Sequence, residues 1–271
     1  MSIFREGILK GKVAVITGGG SGINLRIAER FAEHGAKLVL AGRTQSKLDA
    51  AVELIAQRGS EAIGVAADVR QYEAVERVMT SATERFGGID ILVCGAAGNF
   101  PALATGMSAY GFKAVIDIDV LGTFNACRAA YAHLRKPGAS IINISATFSY
   151  MPSAFQSHVC AAKAAVDMTT RTLAIEWGPA GIRVNSIAPG PIGDTEGMRR
   201  LAPTPEFSKE LEGQIPLKRF GTKDEIADLA LFLSSEAAAY ITGTVVVCDG
   251  GQSLLGSGSW GNALMAGVGK R

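Results

Sequence analysis

Residues 13–34 carry the feature that most limits how this chain can fold. Val13-Ala14-Val15-Ile16 is a short apolar run. Thr17-Gly18-Gly19-Gly20-Ser21-Gly22-Ile23-Asn24 is a glycine-dense turn, and from Ile23 to His34 apolar residues recur at helical spacing until Gly35 stops them. A continuous apolar run of this length suits a strand buried on both faces, as in a parallel sheet covered by helices. A glycine-rich turn between such a strand and a helix lets backbone N–H groups approach a pyrophosphate at the helix N-terminus.

The alternation then repeats. Leu38 to Ala41, Ile63 to Ala66, Ile89 to Cys94, Ser140 to Ile144, Ile182 to Ala188 and Val245 to Cys248 read as strands. Ser46 to Arg58, stopped by Gly59, and Tyr72 to Phe86, stopped by Gly87-Gly88, read as helices. Strand and helix in this order predict βαβ units with right-handed crossovers. The expected fold is α/β: a doubly wound Rossmann fold, a mostly parallel seven-stranded sheet with helices on both faces, in a single domain over residues 1–271. Residues 189–220 are rich in Pro and Gly and lack a strand, so they read as a substrate lid after a strand's carboxyl end. The Gly/Ser-rich tail after residue 252 reads as flexible unless a subunit neighbour holds it.

Composition narrows the function classes. Of 271 residues 48% are hydrophobic and 19% charged, which is enough apolar material for a sizeable core. Lys+Arg 27 against Asp+Glu 25 leaves +2, too balanced for a nucleic-acid footprint. Cys94, Cys127, Cys160 and Cys248 share no metal-binding or disulfide spacing and read as thiols in a reducing compartment. No apolar stretch is long enough to span a membrane, and neither a signal peptide nor a peroxisomal tripeptide is evident. The expectation is a cytoplasmic protein with no metal, no nucleic-acid partner and no membrane.

The residue closing the second strand should read the adenosine ribose. An acid there would bond the 2′-hydroxyl of NAD; here stand Gly42 and Arg43, with Lys47 a turn later. Arg43 can pair with a 2′-phosphate and no carboxylate opposes it, which favours NADP(H).

These residues resemble the short-chain dehydrogenase/reductase family over roughly Gly11 to Gly251. Thr17-Gly18-x-x-x-Gly22 resembles its TGxxxGxG signature, with Asn24 in place of the last glycine. Asp68-Val69 resembles the pair at the adenine ring, Gly95-Ala96-Ala97-Gly98 the NNAG turn, and Asn185 to Gly190 the NxxxPG stretch beside the nicotinamide. The resemblance implies cofactor contacts from Thr17, Gly18, Gly20, Ser21, Gly22, Ile23, Arg43, Asp68, Val69, Ala96, Gly98, Lys163, Pro189, Gly190, Ile192 and Thr195. The catalytic pattern departs from the family. Lys163 is present, but Val159 stands at the usual Tyr, Ala146 at the usual Ser and Asp119 at the usual Asn. A carbonyl reductase needs a phenol to protonate the nascent alkoxide, and valine cannot supply a proton.

One branch of the family shares these departures: the 2,4-dienoyl-CoA reductases, above all the peroxisomal type. Ala96-Ala97-Gly98-Asn99-Phe100, Asp117-Ile118-Asp119, Gly122-Thr123-Phe124-Asn125, Ser145-Ala146-Thr147 and Ala188 to Ile192 with Thr195 to Leu201 resemble it. The resemblance implies NADPH-dependent reduction of a 2,4-dienoyl-CoA to a 3-enoyl-CoA in unsaturated fatty acid degradation, by a homotetramer paired through helices around Leu121 to His133 and Val159 to Trp177. It implies Asp119 and Lys163 as catalytic residues, Asp119 orienting a water that carries the proton. Tyr150 and His158 are the next donors in line, His158 reading equally as a capping or core residue. Acyl-CoA contacts are expected from Arg70, Asn99, Phe100, Ser108, Tyr110, Thr147 and Arg200. Reduction of another enone or a terpenoid thioester, and a non-enzymatic NADPH-binding scaffold, remain open.

Overall fold

The computed structural model describes residues 3–201 and 204–257. One seven-stranded sheet runs in the order β3-β2-β1-β4-β5-β6-β7. The strands are β1 (Val13–Thr17), β2 (Lys37–Gly42), β3 (Ala62–Ala66), β4 (Ile91–Cys94), β5 (Ser140–Ile144), β6 (Arg183–Pro189) and β7 (Val245–Cys248). Every pairing is parallel, so the sheet is wholly rather than mostly parallel. The chain leaves β1 towards β2 on one side and returns to β4 on the other. This reversal opens a crevice at the carboxyl ends of β1 and β4.

Alternate side chains of each strand feed two cores, one on each face. Ala14, Ile16, Leu38, Leu40, Ile91 and Val93 pack with Ile27 and Phe31 of α1 (Gly22–Glu33) and Ile55 of α2 (Gln45–Gln57). Val15, Val39, Leu92 and Ile141 pack with Val75 and Met79 of α3 (Tyr72–Phe86). Each such large side chain contributes roughly 1.5–3 kcal/mol by leaving water. The predicted stop of α3 holds: Gly87 has φ 80°, and its N–H reaches the Thr83 carbonyl, closing the last turn in a conformation that a Cβ would strain.

Three segments position the site. Residues 109–130 form a helical run of α4 (Ala109–Val115), a π-turn over Ile116–Leu121, and α5 (Gly122–Ala130). Opposite it lies α6 (Ser157–Trp177). The stretch expected as a substrate lid, 189–220, carries α7 (Glu196–Leu201) and α8 (Pro205–Gln214). In α7, Glu196 pairs with Arg199 and Arg200, three and four residues on; this local helical support is hidden by the prolines and glycines around it. Residues 252–257 of the tail form a 3-10 turn, to which Asp249 contributes by accepting the Gly251 and Ser253 N–H groups. The remainder of the tail lies outside the described residues.

Helix α9 (Lys223–Ser234) begins with a reciprocal cap between Thr222 and Glu225. Arg219 bonds to the same carboxylate and, together with Thr222, brings its pKa down to about 2. Because the folded value lies below the unfolded one, the contribution is present above the unfolded value and is lost as pH falls through the folded one. With the ion pair discounted for its exposure, Glu225→Ala is expected to cost about 1 kcal/mol at pH 7. The gap from the parent in urea unfolding should narrow from pH 4.5 towards 2.

Candidate active site

A cavity of about 500 Å³ occupies the crevice at the carboxyl ends of β1 and β4. Its floor is the glycine turn Gly18 to Gly22. Gly18 has φ 69°, and a Cβ there would lie 3.1 Å from the Ala96 backbone, so only glycine lets the turn rest on the loop after β4. Ser21 caps α1 in an extended conformation with no side-chain bond to the helix, and the first turn contains no acid. The N-terminal end of the helix dipole therefore meets the cavity without a competing carboxylate. Arg43 and Lys47 line one end, Asp68 and Val69 the side, and Pro189, Gly190 and Thr195 the far wall. This chemistry fits a dinucleotide: an electropositive helix end, close-approach glycines and cations at one extremity.

The other end holds two charges taken out of water. Asp119 Oδ2 lies 2.9 Å from Lys163 Nζ, with the side chains 0% and 8% exposed. Asp119 Oδ1 accepts the Gly98 N–H at 2.7 Å, and Lys163 donates to the Ile144 carbonyl at 3.0 Å. The π-turn carries Asp119 and α6 carries Lys163, so the pair ties the two helical runs together across the cavity. An extra residue in one turn is a recurrent way to aim a functional side chain inward. The ammonium donates to one carbonyl and faces Asp119 as an ion pair, so it keeps donor capacity towards the cavity that it lines. Val159 and Ala146 also line the cavity and bring no hydroxyl.

A family profile described as enoyl-(acyl carrier protein) reductase matches residues 18–253. The peroxisomal 2,4-dienoyl-CoA reductase, (3E)-enoyl-CoA-producing, of Arabidopsis thaliana is 48% identical over 260 residues, covering 92% of this chain and 87% of its own length. The similarly named protein of Saccharomyces cerevisiae is 43% identical over 258 residues, covering 94% and 88%. The crystal structure of a short-chain type dehydrogenase/reductase from Mycobacterium marinum superposes with a TM-score of 0.84 at 35% identity, covering 90% of this chain and 96% of that one. The chain belongs to the short-chain dehydrogenase/reductase family.

Most of the cofactor set expected of a family member lines the cavity: Gly18, Gly20, Ser21, Gly22, Ile23, Arg43, Asp68, Val69, Ala96, Gly98, Lys163, Pro189, Gly190 and Thr195. Two do not. Thr17 is buried, and its hydroxyl accepts the Gly95 and Ala96 N–H groups, pinning the loop after β4. Ile192 is buried in a bridge to Gly221 and shapes the wall from behind.

Of the acyl-CoA set only Asn99 lines the cavity. Arg70 folds back onto Asp68, and its guanidinium holds that carboxyl below the usual range, with Arg43 adding to the effect. Arg200 is paired with Glu196. Ser108 accepts the Gly111 N–H and caps α4, while Tyr110 is 87% exposed. Thr147 is buried in a 3-10 turn. Phe100 packs against the buried His158, the two rings tilted by 47° with centroids 4.6 Å apart. The two reserve donors also lie off the cavity: His158 is fully buried behind Phe100, and the Tyr150 hydroxyl bonds Ser253. Among the cavity residues assigned no site role from the sequence, two have a buried side-chain oxygen without a protein partner. Ser145 stands beside the alanine at the expected serine position, its hydroxyl buried and without a protein partner. Asn24 is the other; its substitution for glycine was the visible signal.

Removing one member of a buried ion pair strands the other. Lys163→Met is expected to cost about 3–5 kcal/mol in urea unfolding, and Asp119→Asn combined with it less than the sum of the single losses. Additive losses would separate the two side chains energetically.

Proposed function

We propose that the protein reduces 2,4-dienoyl-CoA thioesters to 3-enoyl-CoA with NADPH, a step of unsaturated fatty acid degradation. The observation that carries this reading is the buried Asp119–Lys163 pair beside a wall of Val159 and Ala146. A site for ketones needs a phenol, whereas a conjugated thioester needs an enolate oxygen stabilised and a carbon protonated. The 43–48% identity to proteins named as such reductases supports the same substrate class.

Bound in the cleft, NADPH would supply the hydride that the far end of the diene requires. The Arg43 guanidinium takes the 2′-phosphate, and the α1 N-terminus takes the pyrophosphate. Lys163, fixed by Ile144 and Asp119, holds the nicotinamide ribose and places positive potential beside the developing enolate. Asp119 accepts the Gly98 N–H on one oxygen, while the other, paired with Lys163 but accepting no hydrogen bond, is available to orient a water. That water would give one proton to the α-carbon, and the hydroxide left behind would be neutralised by a proton drawn from solvent.

Asn99, already on the cavity, is the acyl thioester contact that needs no rearrangement. Arg70 and Arg200 reach CoA phosphates by leaving Asp68 and Glu196. The proposed assembly is a homotetramer; half-exposed Leu121, Phe124 and Met168 on α5, α6 and the turn before α5 are the apolar surface it would cover. The compartment proposed is cytoplasmic, consistent with four free thiols, although the relatives are named peroxisomal.

NADPH oxidation should proceed with a 2,4-dienoyl-CoA and not with a simple ketone; the reverse preference would overturn the reading, and no turnover with either would favour a cofactor-binding scaffold. Arg43→Ala should weaken NADPH by roughly 10- to 150-fold, the equivalent of about 1.5–3 kcal/mol, and leave NADH nearly unchanged. Asp119→Ala should lower kcat by about 10²–10⁴. A near-normal kcat in that variant would exclude the water route.

A further inference from the structure

Asn24 stands where α1 meets the glycine turn, and its amide crosses to a distant part of the chain. Nδ2 donates to the Gly95 carbonyl at 2.8 Å, a contact spanning 71 residues. Oδ1 is buried and without a partner, so the polar attachment of this side chain rests on that one bond. The amide also fills space that two glycines leave. A Cβ built on Gly95 would overlap Asn24, and the three atoms nearest to it all belong to the Asn24 amide. Gly95 does not have the positive φ that would itself demand glycine. Its backbone accepts a side chain, and the Asn24 amide is what first obstructs one. A Cβ on Gly18 would lie 2.9 Å from the same Nδ2.

The segment held this way leads into the catalytic end. Gly95 and Ala96 donate their N–H groups to Thr17 at the end of β1. Three residues after Gly95, the Gly98 N–H is bonded to Asp119. All four residues from Gly95 to Gly98 line the cavity. The loop is therefore anchored at its start by β1 and α1 and at its end by the buried carboxylate.

We propose that Asn24 is a positioning residue for cofactor and catalysis, and that positions 24 and 95 form a reciprocal pair in which an amide on α1 requires glycine after β4. Asn24 fixes the glycine turn against the loop that carries Gly98, and so sets the separation between the pyrophosphate end of the cleft and Asp119. The binding part rests on reading the cleft as a nicotinamide dinucleotide site; the steric part does not.

The test is a double-substitution cycle on the full-length protein with Asn24→Gly, Gly95→Ala and both together, plus Asn24→Leu. Leucine keeps the length and branching of asparagine and loses the hydrogen bond. Thermal unfolding of the cofactor-free protein reads the steric fit, and fluorescence titration with NADPH reads its consequence. Gly95→Ala alone is expected to lower the unfolding midpoint and raise the NADPH dissociation constant about tenfold or more. In the Asn24→Gly background the same alanine should change the constant by less than about threefold, since the methyl then enters vacated space. Equal damage from alanine in both backgrounds, or none in either, overturns the pair. If Gly95→Ala alone does not fold, recovery of a folded protein in the double variant supports the pair, and its failure to recover overturns it.

Asn24→Leu is expected to weaken NADPH several-fold and to lower kcat at saturating NADPH and substrate, with little change in the unfolding midpoint. Wild-type binding and turnover in that variant would reduce Asn24 to filling space and overturn the positioning role. Failure of the wild-type protein to bind either NADPH or NADH would instead sink the cofactor reading and with it the role in cofactor positioning, while the thermal cycle would still decide the pair.

Discussion

A carboxylate and an ammonium lie out of water at the carboxyl edge of the sheet, and the architecture of that edge follows from keeping them there. A lone buried charge would be neutralised or would unfold its surroundings; a pair survives when each member is also hydrogen-bonded. Asp119 has Gly98 and Lys163 has Ile144, so both satisfying groups are backbone, one from the loop after β4 and one from the end of β5. The pair can exist only if those strand ends, the π-turn and α6 converge. Elements far apart in the chain are tied to one another by two side chains.

Much of the scaffold was legible because its cause is local. Runs such as Val13 to Ile16 and Ile141-Ile142 are apolar throughout because both their faces are covered, and the glycines that end α1, α2 and α3 stand next to the last periodic residue. The glycine floor of the cavity was legible for the same reason: strand, glycine turn and helix are contiguous. Asp119 and Lys163 were found by their places in motifs, yet nothing local to either shows that they meet at 2.9 Å.

The illegible part consists of partner choices. Arg70 and Arg200 look free in the sequence and are bonded to Asp68 and Glu196, because an arginine takes the carboxylate within reach. Thr17 sits at the start of the glycine motif but turns its hydroxyl towards the loop after β4. The helices of 189–220 are masked by flanking prolines and glycines, while their support comes from pairs three and four residues apart. The role of Asn24 is visible only when Gly95, 71 residues away, is laid against it.

The π-turn over Ile116–Leu121 makes the site depend on counting. In an ordinary helix each residue advances the side-chain direction by about 100°. Deleting one residue from this turn would let the run relax to regular helical winding, with composition, hydrophobicity and nearly every strand contact intact. One of its flanks would then be out of phase, and Asp119 could no longer face Lys163 while α4 and α5 both kept their packing. A chain of the same fold and nearly the same sequence, one residue shorter in that turn, would therefore lack the site altogether.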